Sequence, residues 1–424
     1  MRKLGDDEAM KRYRLAILAV AACLMASPIS GADDWPQWGG RNRNFMTDST
    51  GLAKVWPAGG PRQLWSRALG EGYSSIAVEA GRLYTMYRGQ GEHVGQDVVI
   101  AIDAATGETI WQYRYEASAP RRMNLEYGPG PHATPLVVGD RVFAVGATGK
   151  FHALDKKTGE LLWAHDFYEE YGTLWRRGYS CSPLAYGDTV IVTVGGRESG
   201  VIALNQADGT IAWKKQDFNF APASPILINL DGQEQLVVFM AKEAAGLDPA
   251  SGELLWSHPH PTSYGLNIST PVWGEGNLLF LSSAYSGGSR LLQLSRAGGK
   301  TTVKELWFNN RMRIHFGNAI RIGDTVYGSS GDFGPTFFTA IDIKTGKVLW
   351  RDRSFPRFSS VYAEGRLVVL DEDGNLALVT ASPEGLEVHS RVELLSNNAW
   401  TPPTLVGTTL YVRDRKTLRA LELD

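Results

Sequence analysis

The sequence predicts an all-β chain: an eight-bladed β-propeller of four-stranded antiparallel blades, closed by pairing of its N- and C-terminal strands. Three observations lead there. A hairpin motif ending in tryptophan recurs down the chain, a second strand-turn-strand unit stands ahead of most copies, and each chain end carries part of a blade. Composition agrees: 47 of the 424 residues are glycine, 13 tryptophan and 16 tyrosine. Glycine weakens helix interiors, and aromatics suit half-buried pleated sheet.

The motif is a short strand, an Asp-x-x-Thr-Gly turn and a strand ending in Trp. It is complete at Ala101 to Trp111, Ala153 to Trp163 and Ala340 to Trp350, and looser at Ala203 to Trp213 and Gly246 to Trp256. Asp103, Asp155, Asp248 and Asp342, with Asn205 in the third copy, can accept bonds from the turn's own amides. Gly107, Gly159, Gly209, Gly252 and Gly346 supply the positive φ that closes a hairpin. The tryptophan is a rigid filler for the space between one sheet and the next.

Upstream of these hairpins stands a Ser/Thr-Pro or Ser-Ser step, a strand, a tight turn and another strand, as from Thr134, Ser182, Thr270 and Ser359. Together the two units make four strands. Marker tryptophans at 65, 111, 163, 213, 256, 307 and 350 recur at blade-length intervals, and Leu394 occupies the expected eighth position. The stretch from Thr401 supplies three strands without a last one, whereas Gln63 to Leu69 supplies a last strand with no blade. Pairing them closes a single propeller domain over 63–424, with 33–62 as an N-terminal extension.

Residues 1–32 read as a signal peptide: Lys11, Arg12 and Arg14 precede the apolar run Leu15 to Ala26, followed by small residues up to Ala32. That run is shorter than the ~20 residues that span a bilayer, so no transmembrane span is expected. The acidic stretch before Met10 points to Met10 as the true start. The chain is therefore expected to be exported, periplasmic or secreted. Val20-Ala21-Ala22-Cys23 also resembles a lipobox, which would anchor the chain by a lipid on Cys23. Cys23 and Cys181 are the two cysteines, so the mature chain contains no internal disulfide. Forty-three basic against 45 acidic residues leave a net charge of -2, and no nucleic-acid partner is expected.

The signature A-x-D-x-x-x-G-x-x-x-W at Ala101, Ala153 and Ala340 resembles the PQQ-like (pyrroloquinoline quinone) β-propeller repeat family. Trp35 to Gly40 with Arg41 and Asn42 is similar to the opening of secreted bacterial PQQ-binding-like propellers. The resemblance implies the fold and leaves the activity open, because the family includes an outer-membrane assembly scaffold lipoprotein as well as quinoprotein alcohol dehydrogenases. A dehydrogenase would hold PQQ and Ca²⁺ over the propeller axis. The vicinal cysteine pair of the larger enzymes cannot form here, Cys-x-x-Cys-His is absent, and no calcium cluster is evident. No catalytic residue and no metal ligand is assigned.

Loops leading into the innermost strands open onto the channel mouth, and they carry arginines, aromatics and amides. Tyr73, Arg121, Arg122, His132, Trp175, Arg176, Arg177, Tyr179, Asn267, Arg313, His315 and Trp400 are the candidate binding residues. Arginine forks match carboxylates, and aromatic faces take sugar rings or a flat cofactor. The expectation is a monomeric scaffold that binds an envelope protein partner, or a small anionic or polyhydroxylated ligand, at this mouth. The alternative is a PQQ-dependent dehydrogenase of alcohols or sugars.

Overall fold

The computed structural model describes residues 34–424, apart from 125, 127, 174 and 397. Eight four-stranded antiparallel sheets follow one another in sequence order. Blades 1 to 7 cover 77–116, 136–166, 184–215, 226–259, 272–309, 314–352 and 358–393. Blade 8 takes three strands from 404–422 and its outermost strand, Arg62–Ala68, from the other end of the chain. Trp65 pairs with Ala420 and Ala68 with Thr417, the expected closure. Among the described residues no helix is long and apolar enough to cross a membrane. The expected signal peptide, the start at Met10 and Cys23 lie outside the described residues.

The core lies between blades. In blade 1 the third strand, Gln96–Asp103, is buried along most of its length because both faces meet a neighbouring sheet. Tyr84, Val99, Ala101 and Trp111 of blade 1 share one apolar cluster with Val142, Ala144 and Leu154 of blade 2.

Each hairpin turn is built as its residues require. Asp103 Oδ1 accepts from the amides of Ala105 and Thr106 at 3.0 and 2.9 Å, and Asp155 repeats the pattern with Lys157 and Thr158. The indole of each blade then docks on the turn of the next. Trp65, Trp111, Trp163, Trp213 and Trp307 donate Nε1–H to the carbonyls of Ala104, Lys156, Gln206, Pro249 and Ile343, at 2.7 to 3.2 Å. Gly209 sits at φ 76°, and a Cβ there would lie 2.7 Å from the Trp163 ring. That position therefore needs glycine both for its backbone and for the approach of the indole.

Two junctions differ. Blade 5 turns through Gly298 and Gly299 without the Asp turn, and Trp256 donates instead to Gln235 Oε1 of its own blade at 2.8 Å. In blade 7 the eighth marker position is not Leu394, which lies beyond the strand Leu386–Glu393. Leu378 pairs with Ser390 next to the bulge, as Ala101 pairs with Trp111, so Ser390 takes the tryptophan's place. Its Oγ accepts the backbone N–H of Trp56 at 2.7 Å, and Trp56, buried, comes from the N-terminal extension.

The Ser/Thr-Pro steps form a relay around the axis. Ser75 donates its amide to Thr134 Oγ1, Thr134 to Ser182 Oγ, and Ser182 to Ser224 Oγ, at 2.9 to 3.2 Å. Proline frees no amide, so the preceding hydroxyl is what joins one inner strand to the next.

The extension is a plug. Trp35 pairs with Val78 of blade 1, and Pro36 accepts the Val137 amide of blade 2. The buried Arg43 guanidinium donates to the carbonyls of Pro183 and Pro225 at the starts of blades 3 and 4. Trp38 donates to Thr270 Oγ1 ahead of blade 5 at 2.9 Å, and Phe45 and Thr47 bond with Tyr362 of blade 7. A segment that reaches the inner strands of six blades can only lie on the axis.

Trp163→Ala should cost about 3–5 kcal/mol of stability, because it empties an inter-blade site, and Gly209→Ala should destabilise through the same contact. Denaturant unfolding checks both; unchanged midpoints would remove the indole–glycine dock from the core.

Candidate functional site

Two sets of loops reach the end of the propeller opposite the Asp turns: those leading into each blade, and those joining its second and third strands. There they enclose a cavity of about 340 Å³. Trp38 of the plug lines it too, so the mouth is a cup with an indole in its floor rather than the opening of a channel.

The walls are aromatic. Tyr73 stacks on Trp400, with ring centroids 5.0 Å apart, and on His132 at 5.7 Å. Trp400 meets Phe316 at 4.8 Å, Phe316 meets His315 at 5.0 Å, and His315 meets Tyr285 at 4.9 Å. Phe333 continues the row from Tyr285 at 5.4 Å and is 77% exposed, while Tyr264, against Tyr285, is 64% exposed. The row of rings runs from the loops of blade 5 round to the loop ahead of blade 2.

Charged groups stand among the rings. Arg177, Arg357 and Asp332 line the cavity. Arg357 lies 3.3 Å from Glu372 and donates to the Asp332 carbonyl, and the Asp332 carboxylate faces Arg313 at 3.4 Å. Glu372 also accepts Trp400 Nε1–H at 3.1 Å, which fixes that indole. Arg415, paired with Glu71 at 2.7 Å, lies over the Tyr73 ring.

Both histidines of the cup are held neutral. Burial, with the Arg88 guanidinium nearby, lowers His132 to about 4. Burial again, then Arg357, brings His315 to about 4 against the opposing pull of Asp332. His315 Nε2 bonds the Tyr285 hydroxyl at 2.5 Å, while its buried Nδ1 has no partner among the described residues.

Of the twelve residues expected at the mouth, Tyr73, His132, Arg177, His315 and Trp400 line the cup. Arg313 stands one contact behind it, on Asp332. Arg121, Arg122 and Arg176 are exposed and do not line the cavity. Trp175 and Tyr179 face inward: both are buried, Trp175 donates to the Val194 carbonyl at 3.0 Å, and their rings meet edge to face at 5.1 Å. Asn267 is a buried strut, its Nδ2 bonding the carbonyls of Met240 and His260 and its Oδ1 accepting from Ser283. Tyr285, Asp332 and Phe333 were absent from the expected set because they sit between second and third strands. Arg357 precedes a Ser-Ser step and Trp38 lies in the extension.

This fold, with these hairpins and a floored mouth, defines a PQQ-like-repeat propeller. The family profile described as outer membrane protein assembly factor BamB matches residues 47–178 and 95–352, and the chain belongs to that family. The Yersinia pestis protein named outer membrane protein assembly factor BamB is 24% identical over 304 residues, 67% of this chain and 72% of that protein. Quinohemoprotein alcohol dehydrogenase ADH IIB of Pseudomonas putida is 30% identical over 135 residues, which cover 30% of this chain and 18% of the enzyme. Among solved structures, BamB from Moraxella catarrhalis superposes with a TM-score of 0.59 at 19% identity, covering 85% of this chain and 99% of that one. Quinohemoprotein alcohol dehydrogenase from Comamonas testosteroni gives 0.65 at 14% identity, over 96% and 84%. At these identities the likeness is one of fold.

The residues of the cup do not fit calcium-bound PQQ. Calcium takes six to eight oxygen ligands, with carboxylates prominent among them. Among the described residues Asp332 is the one carboxylate lining the cup; it faces Arg313, and Glu372 beside it faces Arg357. Among the described residues no three His, Cys, Asp or Glu side chains gather closely enough to share a metal ion. Cys181, the one described cysteine, is buried with its thiol against the carbonyls of Ala221 and Ala223.

Neutral His132 and His315 imply an acid limb of instability. Their folded values near 4 lie below the ordinary 6.5, so the stability they contribute is full above 6.5 and is lost as pH falls toward 4. Thermal melting between pH 7 and 4 should show that loss, and the double variant His132→Gln/His315→Gln should lessen it, the remainder coming from the buried His152 and His260, which burial lowers to about 3. An unchanged slope would mean that these imidazoles titrate normally in the folded protein.

Proposed function

We propose that the chain is an exported, non-catalytic binding scaffold of the cell envelope that receives its partner in the cup. The observation that carries this reading is the cup itself, a floored cavity walled by contacting rings with arginines beside them. Membership of a family described as an outer membrane assembly factor supports an envelope role without chemistry. Export rests on residues 1–32, with cleavage after Ala32, or alternatively lipid modification at Cys23. In this reading the chain acts as a monomer, and the exposed Phe333 and Tyr264 form the rim first met by whatever enters.

Mass spectrometry of the mature chain should find Asp33 at the N-terminus; an acylated Cys23 would convert the periplasmic form into an anchored one. A photo-crosslinking residue at position 333 should give discrete envelope adducts that position 157, in an Asp turn at the opposite end, does not. Equal labelling at both positions would remove the mouth as the point of contact. Titration with PQQ, with and without Ca²⁺, should give no calcium-dependent binding and no dye reduction with alcohols or aldoses. Saturable binding with turnover would instead make the protein a quinoprotein dehydrogenase.

A further inference from the structure

The plug does not engage the ring evenly. Its backbone bonds go to the innermost strands of blades 1, 2 and 7: Trp35 exchanges two with Val78, Pro36 accepts the Val137 amide, and Phe45 and Thr47 hold Tyr362, all at 2.8 to 3.0 Å. It meets blades 3, 4 and 5 through side chains instead, ahead of their first strands, at the carbonyls of Pro183 and Pro225 and the hydroxyl of Thr270. Among the described residues no backbone bond joins the plug to 184–186, 226–230 or 272–274, the innermost strands of those three blades.

A cavity of about 440 Å³ runs along these strands, past Arg43 from the mouth, and opens at the end of the Asp turns, where Asn42 and Asn229 are exposed. Ile226, Leu227, Ile228 and Asn229 all line it. Successive side chains of a strand point to opposite faces, so four in a row meet one cavity only along the strand's edge, where its amides and carbonyls project. Leu184 with Ala185, and Val272 with Trp273, do the same on either side. Strand Ile226–Leu230 ends its sheet, paired with Gln233–Phe239 on its far side and with no strand toward the axis.

The lining offers little charge. Arg43 is held by Gln37 and the two proline carbonyls, Arg41 stands 3.6 Å from Asp34, and no carboxylate is among the described lining residues. What remains is an open strand edge, amide side chains and the half-buried indole of Trp273. An open edge takes another strand by main-chain bonds. The plug is itself bound in that way, antiparallel at Val78 and parallel at Tyr362.

We infer that this cleft takes an extended, uncharged peptide segment of a partner protein, added as a strand to the inner edge of Ile226–Leu230 with a side chain against Trp273. The five residues of that edge offer roughly 17 Å of pairing. This second seat does not rest on the reading of the mouth, and Lys157, in the outer hairpin of blade 2, lies away from it.

The test is hydrogen exchange of the purified mature chain with acetyl-Thr-Val-Thr-Val-Thr-amide, and with the same peptide N-methylated at two successive residues, which leaves neither of its edges able to pair. Without peptide, the axis-facing amides of 226–230 should exchange at least tenfold faster than those of the same strand bonded to Gln233–Phe239. The parent peptide should slow them at least fivefold, saturably and with no loss at high salt, and the methylated one should not. Asn42→Trp, which puts a bulky ring into the cleft from an exposed position, should abolish that protection, with its melting curve showing that the fold is kept. Protection of an outer strand such as Leu161–Asp166 in place of 226–230 would mean that any exposed edge suffices. An equal effect of both peptides would mean that apolar contact, not strand pairing, holds them. Either result, slow exchange of the axis-facing amides without peptide, or no protection at about 1 mM peptide, would overturn the inference. Crosslinking at position 333 is unaffected by any of them, so the mouth stands or falls separately.

Discussion

The dock of an indole onto the turn glycine of the next blade is the interaction on which this molecule depends. A four-stranded sheet cannot bury both of its faces alone, so blades are stable only against neighbours. Here the contact is both apolar and directional: the indole covers the turn while its Nε1–H reaches the carbonyl just past the turn aspartate, as Trp111 does with Lys156. Because the donor lies in one blade and the acceptor in the next, each dock fixes spacing and rotation together. The hydroxyl relay from Ser75 through Thr134 and Ser182 to Ser224 does the same near the axis.

A ring held at its rim and near its axis still leaves an open centre. The segment from Trp35 to Thr47 occupies it, and its bonds are to backbone carbonyls and amides as well as to side chains. Burying Arg43 costs solvation, which its bonds to the two proline carbonyls and to Gln37 Oε1 offset. Further along the extension, the backbone of Trp56 bonds Ser390, at the one outer position where the marker tryptophan is missing. The plug thus completes the fold and gives the mouth its floor.

What could be read from sequence was what is local. Asp103, Gly107 and Trp111 lie within nine residues of one another, and their roles follow from turn geometry and ring size alone. The closing strand was legible because an unpaired last strand at one end matched a missing one at the other. The marker at Leu394 was misplaced because blade 7 lacks the tryptophan and brings Ser390 closer to Trp350 than any two marker tryptophans lie, so spacing alone overshoots; the bulge at Leu378 and Val379 is one the other blades share. Trp175, Tyr179 and Asn267 share loops with real cup residues, but packing against Phe220 and the bonds of Asn267 turn them inward. Tyr285, Phe333 and Trp38 were hidden for a different reason: they reach the cup from turns within blades and from the extension, and only the closed ring brings those segments together.

The claim that the mouth is a floored cup is tested most directly by native-state hydrogen exchange of residues 35–47 in the full chain. The amides of Trp35, Phe45 and Thr47, bonded to Val78, Gly39 and Tyr362, are expected to be protected to a degree comparable with the inner strands. Exchange of those amides at the rate of free chain, while the blades remain protected, would mean that the channel is open and the cup has no floor.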